Sequence, residues 1–229
     1  MQGFLLQSRP LDVFGQMALD AALANSKPDA FCLRFFRWQG VGATFGYAQR
    51  IREVEQALPP GIGERYTRRP TGGGIVPHLG DLTFSCVFPE GRTLRPTDIY
   101  RRLHSAALRG LRESGLDARL CATEGGAAPQ GPGGASQCFV QPVMLDILTA
   151  AGKILGGAVR RSGNTVLYQG SLQLADARAR AEVLVAAIGR ALAAEWSLQW
   201  EPCGVPAKVA REAEALEAKY RSRDWIRRR

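Results

Sequence analysis

The chain has 229 residues, 45% of them hydrophobic and 22% charged, which is ordinary for a globular protein of one large or two small domains. It contains no run of about 18 apolar residues and no basic start followed by a long apolar core, so we expect neither a membrane span nor a signal peptide. The formal charge of +9 favours acidic partners, but the scattered arginines lack zinc-finger spacing and aromatic RNA-binding motifs, which argues against nucleic acid as the main ligand.

The cysteines exclude two kinds of site. They are five in number and widely spaced, and no C-x-x-C motif is present. We therefore expect neither a disulfide framework nor a zinc site, and a reducing cytoplasm is the expected compartment. Most of these thiols should be small buried hydrophobes, and one is a candidate nucleophile.

Hydrophobic periodicity predicts one α+β domain spanning residues 1–229, with mixed and antiparallel sheets flanked by helices. Helices are predicted at 14–25, 52–58, 97–114, 176–194 and 208–220. Strands are predicted at 30–38, 82–88, 139–147, 153–161, 165–174 and 196–201. A further short strand is predicted after the turn at 39–42 and ends at residue 47. Thr97 is expected to cap the third helix and Gly115 to end it. Residues 124–137, rich in Gly, Ala, Pro and Ser, are predicted to form a flexible loop.

A run of three glycines, Gly72, Gly73 and Gly74, follows Arg69 and Thr71 and precedes His78. Glycine has no side chain, so this backbone can lie directly against a bound molecule. We interpret the run as one wall of a binding slot for an elongated ligand with a polar or anionic end. The alternative is a tight turn between two strands.

Two later motifs also combine small residues with polar or cationic side chains that can bind a ligand. Lys153 stands between turn glycines and precedes the small residues Gly156, Gly157 and Ala158, so its ammonium can project into an open slot and bind a carboxylate, a phosphate or a carbonyl. A solvated hairpin lysine is the alternative. The next predicted strand contains Gln169, Gly170 and Ser171, where the glycine permits close approach of a ligand or marks a bulge.

Cys138 lies at the edge of the predicted loop and upstream of Lys153. A nearby cation lowers a thiol pKa, so this arrangement suits a nucleophile. An inert, half-buried cysteine is the alternative. The chain has only two histidines, His78 and His104, and we expect His104, within the long helix, to be structural.

Taken together, these motifs resemble the biotin/lipoate A/B protein ligase superfamily, specifically its lipoate ligases and cysteine-dependent octanoyltransferases. The resemblance covers most of the chain, at 17–20, 33–38, 46–49, 68–78, 153–158 and 169–171. It implies an α+β fold with the acyl chain in a tunnel beside the glycine run, Lys153 at the acyl carbonyl and His78 at the rim. The substrate-binding residues so implied are Arg69, Thr71, Gly72, Gly73, Gly74, His78, Gly156, Gly157, Ala158, Gln169, Gly170 and Ser171.

The family contains two reaction types. Ligases activate free lipoate with ATP and magnesium, whereas the transferases need no cofactor and move octanoate from acyl carrier protein through a cysteine thioester. Both deliver the acyl group to a lysine of a lipoyl domain, in the glycine cleavage H protein or a dehydrogenase E2 subunit. The position of Cys138, the transferase-like sequence 80–85 and the short stretch after the catalytic region favour transfer. An ATP-dependent ligase and a non-catalytic acyl-binding homologue remain the alternatives.

Overall fold

The computed structural model describes residues 2–90, 93–122, 139 and 142–228, which form two sheets flanked by helices. The strands are β1 Gln2–Gln7, β2 Phe31–Phe35, β3 Gly42–Phe45, β4 Tyr66–Arg68, β5 Ile75–His78, β6 Leu82–Phe88, β7 Arg119–Leu120, β8 Ile147–Thr149, β9 Gly152–Ser162, β10 Thr165–Leu172 and β11 Gln199–Gly204. The helices are α1 Val13–Asn25, α2 Ile51–Ala57, α3 Pro96–Glu113, α4 Ala181–Trp196, α5 Ala207–Arg221 and α6 Arg223–Ile226. The arrangement is of the α+β class that the sequence predicts.

The larger sheet has the strand order β11-β1-β2-β6-β10-β9-β8-β7, and the smaller sheet has the order β4-β3-β5. Strand β1 is parallel to both β2 and β11, whereas the run from β2 through β6, β10, β9 and β8 to β7 is antiparallel. In the centre of the large sheet, Gly170 of β10 pairs with Gly157 of β9 and with Phe84 of β6. The small sheet is mixed, because β3 is parallel to β4 and antiparallel to β5.

One face of the large sheet is covered by α3 and α4. Helix α3 buries one apolar face in this core, formed by Ile99, Leu103, Ala107 and Leu111. A Cβ atom at Gly110 would lie 2.6 Å from the carbonyl oxygen of Ala187 in α4. Only glycine therefore permits the two helices to approach so closely.

Helix α1, helix α5 and the small sheet lie on the other side of the large sheet. Asp12 caps α1, since its Oδ1 accepts hydrogen bonds from the backbone N–H groups of Phe14 and Gly15 at 3.1 and 2.9 Å. Polar Gln16 and Asp20 are fully buried in this helix. Buried polar groups need partners, so the interior beside α1 must contain a hydrogen-bonded network.

Four local predictions were wrong. The predicted strand 196–201 starts too early, because Trp196 is the last residue of α4 and β11 runs from Gln199 to Gly204. Helix α3 starts at Pro96 after Arg95, so Thr97 is not its cap, because proline already suits the first helical position. Within the predicted strand 139–147, described residues 142–146 are not extended as a strand; Asp146 accepts the N–H of Val143 at 2.7 Å and closes a turn. Helix α4 starts at Ala181 rather than Asp176, after a series of turns.

Three further sequence expectations concern the loop 124–137 with Cys138, a membrane span and Gly115. The predicted loop 124–137 and Cys138 lie outside the described residues. Across the part of the chain that is described, each helix is too short or too polar to cross a membrane. Gly115 follows α3 with φ +87°, as its predicted role in ending the helix requires.

Candidate active site

A narrow slot lies between the large sheet and the layer formed by α1 and the small sheet. About 30 Å³ of its interior is open, which is room for about two water molecules. Its walls are mostly apolar, and eight of the predicted substrate-binding residues contribute to them. The residues that line the slot are Met17, Phe36, Thr44, Arg69, Val76, His78, Thr83, Gly156, Gly157, Ala158, Gln169, Gly170 and Ser171.

The glycine run stands beside this slot and is stabilised by Arg69. The Arg69 guanidinium donates from Nε and one terminal nitrogen to the carbonyl oxygen of Gly72, at 3.0 and 2.6 Å. Gly73 adopts φ +90°, a backbone conformation that favours glycine, and a Cβ atom at Gly46 would lie only 1.9 Å from its carbonyl oxygen. Arg69 therefore shapes the loop in which Gly73 packs directly on the end of β3.

A buried polar network joins the glycine loop to the large sheet and to α1. The Thr71 hydroxyl donates to Gln169 Oε1 at 2.6 Å, and Gln169 Nε2 donates to Asp20 Oδ2 at 2.7 Å. Asp20 Oδ1 also accepts from the Ser85 hydroxyl at 2.7 Å and pairs with Arg34 at 2.5 Å. Neither Asp20 nor Arg34 was predicted as a site residue. The sequence pattern that could have identified them is a charged residue inside an apolar helix or strand, because a buried charge requires a partner.

His78 belongs to a second buried network at the slot. Its Nδ1 lies 2.9 Å from Asp81 Oδ2, its Nε2 lies 3.0 Å from the Thr44 hydroxyl, and its ring stacks on Trp38 at 4.2 Å. With 2% of its surface exposed, His78 is part of the inner wall, not the rim. The Thr44 hydroxyl also accepts a long hydrogen bond, 3.4 Å, from Arg69. Arg69 and His78, both predicted to bind substrate, therefore share Thr44 as a partner.

Asp81, which the sequence interpretation left out of the site, organises this second network. Its Oδ2 accepts from the Thr83 and Ser171 hydroxyls at 2.5 and 2.7 Å in addition to the contact with His78. Burial alone would raise the pKa of Asp81, but the charge of His78 and hydrogen bonds from His78, Thr83 and Ser171 outweigh burial and lower it. Asp81 is therefore held as a carboxylate in the wall of the slot.

Lys153 is buried next to the slot. Its Nζ lies 2.8 Å from Asp146 Oδ2, and the side chain is 3% exposed, so this is not a solvated hairpin lysine. A Cβ atom at Gly156 would lie 2.6 Å from the same Nζ, so the end of the Lys153 side chain occupies the space that a side chain at position 156 would need. The ammonium also lies 4.9 Å from the centre of the Phe139 ring. Asp146 was not predicted; a lone acid between apolar residues before the Lys153 strand was its only signal.

Gly157 and Gly170 contact the slot through their backbones, because Tyr168 occupies the space on their other side. Cβ atoms there would lie 2.4 and 2.6 Å from the Tyr168 hydroxyl. That hydroxyl lies 2.9 Å from His104 Nε2, and His104 Nδ1 lies 2.6 Å from the carbonyl oxygen of Leu145. Burial lowers the pKa of His104, so we assign the neutral tautomer that donates to Leu145, in agreement with its predicted structural role.

Comparison with known proteins identifies the family to which the chain belongs. The lipoyl protein ligase A/B catalytic domain matches residues 12–226. The chain belongs to this family. Among curated relatives it is similar to octanoyltransferase LipM of Kyrpidia tusciae, with 28% identity over 91% of this chain and 92% of the relative. The corresponding protein of Moorella thermoacetica is 26% identical over 98% and 97%. The Geobacillus kaustophilus protein is 31% identical over 69% of this chain and 60% of its own length.

Solved structures show the same fold. A putative lipoate protein ligase from T. acidophilum with bound lipoic acid superposes with a TM-score of 0.81 at 24% identity, with both chains fully covered. A lipoate-protein ligase A bound with ATP superposes with a TM-score of 0.79 at 25% identity, covering 99% of each chain. The family and the fold that the sequence motifs predicted are confirmed.

Proposed function

We propose that this protein is an acyltransferase that moves an octanoyl or lipoyl group from acyl carrier protein to a lysine of a lipoyl-domain protein through a thioester on Cys138. The relatives that are similar over almost the whole chain are octanoyltransferases, which confirms the transferase activity expected from the sequence. The donor, the acceptor, the cytoplasmic location, the single catalytic domain over residues 1–229 and the roles of individual residues are proposals.

The observation that carries the residue-level proposal is the buried ammonium of Lys153. It is oriented by Asp146, lies against Gly156 of the slot, and contacts Phe139, the residue that follows Cys138 in the sequence. A fixed cation in a water-poor site stabilises the oxyanion that forms at an acyl carbonyl. An acyl chain bound in the slot with its carbonyl towards Gly156 would meet this cation.

The shape of the slot supports a slender aliphatic ligand. Its open interior of about 30 Å³ is much smaller than an eight-carbon chain. Binding would therefore have to move wall residues apart, and Met17 is suited to this because its unbranched side chain changes conformation readily. A buried wall of Met17, Phe36 and Val76 would gain free energy by exchanging water for methylene groups.

The proposed chemistry has two balanced steps. The Cys138 thiolate attacks the thioester carbonyl of the donor; the new carbon–sulfur bond forms, and the carrier leaves as a thiolate that takes up a proton. The lysine amine of the acceptor then attacks the Cys138 thioester, forms an amide, expels the Cys138 thiolate and releases one proton. Lys153 would stabilise both tetrahedral oxyanions, and no ATP is consumed because thioester exchange is nearly isoenergetic.

The other cysteines are poorly suited to this role. Burial raises the pKa of Cys32 to about 11 and also raises the pKa values of Cys86 and Cys203. A raised pKa lowers the fraction of thiolate, which is the reactive form. Cys121 is buried in the structure.

Intact-mass measurement after mixing with octanoyl-acyl carrier protein tests the proposal. We expect one octanoyl adduct, its loss in Cys138→Ala, and its retention in Cys203→Ala, which removes the most accessible described thiol. Transfer to a lipoyl domain should fail with Cys138→Ala. Full activity in that variant would refute the cysteine mechanism.

An ATP-dependent ligase is the second candidate, because a structural neighbour at 25% identity binds ATP. It is tested with octanoate or lipoate, ATP and magnesium in place of the carrier thioester. Modification from the free acid would support the ligase; modification from the carrier alone would support the transferase. Binding of the acyl group without any transfer would instead indicate a non-catalytic homologue.

A further inference from the structure

A second pocket lies farther along the same two central strands. The slot is lined by Gly156 and Ala158 of β9 and by Gln169 and Ser171 of β10, whereas the second pocket is lined by later residues of β9 and earlier residues of β10. We call it the basic pocket. It has a volume of about 170 Å³ and is lined by Ala21, Ala24, Asn25, Tyr47, Pro70, Arg160, Ser162, Thr165, Leu167, Leu216, Lys219, Tyr220, Trp225 and Arg228.

Three cations meet at this pocket around two aromatic rings. Tyr47 and Trp225 have ring centres 5.9 Å apart. The Lys219 ammonium lies 4.1 Å from the Trp225 ring centre, and the Arg228 guanidinium lies 5.3 Å from Tyr47 and 5.8 Å from Trp225. The Arg160 guanidinium lies 5.8 Å from Tyr47. Three positively charged side chains therefore lie within 5.8 Å of the ring centre of Tyr47 or Trp225.

None of the residues that line the basic pocket is acidic. Among the described residues, no carboxylate forms an ion pair with Arg160, Lys219 or Arg228. Of the lining residues, Asn25 donates a hydrogen bond to Glu212 at 2.8 Å. Burial lowers the pKa of Lys219, and the charges of Arg160 and Arg228 lower it further, so the cations repel one another.

The C-terminal segment that contributes Lys219 and Trp225 to the basic pocket is hydrogen-bonded to β4. Trp225 Nε1 donates to the carbonyl oxygen of Arg68 at 2.8 Å, and the Arg68 guanidinium donates to the carbonyl oxygens of Trp225 and Ile226 at 3.3 and 2.9 Å. The Thr67 hydroxyl donates to the carbonyl oxygen of Tyr220 at 2.7 Å. The end of α5 and all of α6 are therefore fixed to β4 without any ligand. Such a preformed arrangement lowers the entropic cost of binding.

We infer that the basic pocket binds a phosphate group, as a monoester or a diester. Arginine guanidinium groups match phosphate oxygens through paired N–H donors, and a lysine adds a point charge. One phosphate group would relieve the repulsion among the three cations, and the volume admits it together with part of the molecule that bears it. The phosphate could belong to a free nucleotide or coenzyme, or to the phosphopantetheine arm of a carrier protein.

The basic pocket also contacts the glycine loop. Arg160 donates to the carbonyl oxygen of Pro70 at 3.2 Å, and the N–H of Tyr47 donates to the carbonyl oxygen of Thr71 at 2.8 Å. Pro70 stands between Arg69 and Thr71, the two residues that order the loop at the slot. A phosphate that draws Arg160 away from Pro70 would therefore change the loop that borders the slot.

Calorimetric titration at about 150 mM salt, without any acyl donor, tests the site. The probes are inorganic phosphate, AMP, coenzyme A and the phosphopantetheinylated carrier protein. We expect saturable binding at one site per chain. Replacing Lys219 or Arg160 by Gln should weaken it about tenfold or more. Arg211→Gln, which removes an exposed charge from the same helix, is the control and should bind as the wild type does.

The probes separate the two sources. Binding of AMP or coenzyme A as tight as that of the carrier indicates a free phosphate ester, and binding of the carrier alone indicates its arm. Absence of saturable binding, or equal weakening by Arg211→Gln and Lys219→Gln, overturns the site. Cys138→Ala should bind the probes unchanged, so failure of this site and failure of the proposed acyl transfer remain distinguishable.

Discussion

The Lys153 ammonium lies 2.8 Å from Asp146 Oδ2, and the position a Cβ atom would take at Gly156 lies 2.6 Å from the same nitrogen. The carboxylate attracts the ammonium, and the missing side chain of Gly156 leaves the space that the end of Lys153 occupies. Each feature can be changed by a single substitution, which makes the placement of this cation experimentally accessible.

Asp146→Asn should reduce acyl transfer about 100-fold, because the ammonium loses the partner that orients it. It should also cost about 3 kcal/mol or more of unfolding free energy, since a buried cation is left unpaired. Steady-state transfer rates below the melting temperature measure the first effect and urea denaturation the second. Asp176→Asn, at an exposed ion pair with Arg180, should change neither. Partial recovery of the transfer rate in Asp146→Glu would show that the carboxylate acts by orienting the Lys153 ammonium. Wild-type transfer rates in Asp146→Asn would contradict this role.

Gly156→Ala should lower the transfer rate more than it lowers stability. The new methyl group would displace the end of a flexible side chain, Lys153, instead of backbone, so the fold can accommodate it while the ammonium moves. Gly204→Ala on β11 is the matched control, because no heavy atom lies within 4 Å of its Cβ position. The measurements are kcat and the melting temperature of both variants, each compared with the wild type. Equal losses of rate in both would count against a role for the Gly156 position.

Thr71→Val should weaken acyl-donor binding, because it removes the hydrogen bond that joins the glycine loop to Gln169. Loss of a buried hydroxyl partner costs about 1–3 kcal/mol. Thr71→Ser keeps the hydroxyl and should restore most of the affinity. The measurement is KM for the carrier thioester. If Thr71→Ser and Thr71→Val raise KM equally, the 2.6 Å hydrogen bond is not what orders the loop.

Stability should fall as the pH falls below about 6.5, in part through His104. Burial lowers its pKa in the folded state, so the unfolded chain takes up a proton at a higher pH than the folded chain does. The stabilisation is therefore present above pH 6.5 and is lost between that pH and the lower folded pKa, by at most about 1.4 kcal/mol per pH unit. Urea denaturation at several pH values should show the difference between wild type and His104→Gln shrinking in that range. A constant difference would exclude His104 as the source.

The sequence predicted the elements with strong periodicity well. Strand β6 has the predicted bounds, α1 starts one residue earlier than predicted, and α5 is one residue longer at each end. Strand β1, which begins at Gln2, was not predicted, because its stability comes from pairing with β2 and the distant β11. Non-local pairing of this kind leaves little trace in local composition.

For the site, glycine and lysine motifs were recognisable but their partners were not. Asp81, Asp146 and Asp20 are acids whose importance depends on which cation or hydroxyl the fold places against them. No spacing rule joins Asp20 to Gln169, which is 149 positions away. The sequence also could not show that Arg69 bonds its own loop, since that depends on the turn at Gly73.

Tyr168 has a consequence for how the slot could be redesigned. Its ring fills the space where side chains at Gly157 and Gly170 would begin, while its hydroxyl contacts His104 in the core. The three positions on neighbouring strands are therefore interdependent, and alanine at either glycine becomes acceptable only with a smaller residue at 168. A library that varies the glycines alone would recover misfolded proteins, whereas one that varies all three together could reach new slot shapes.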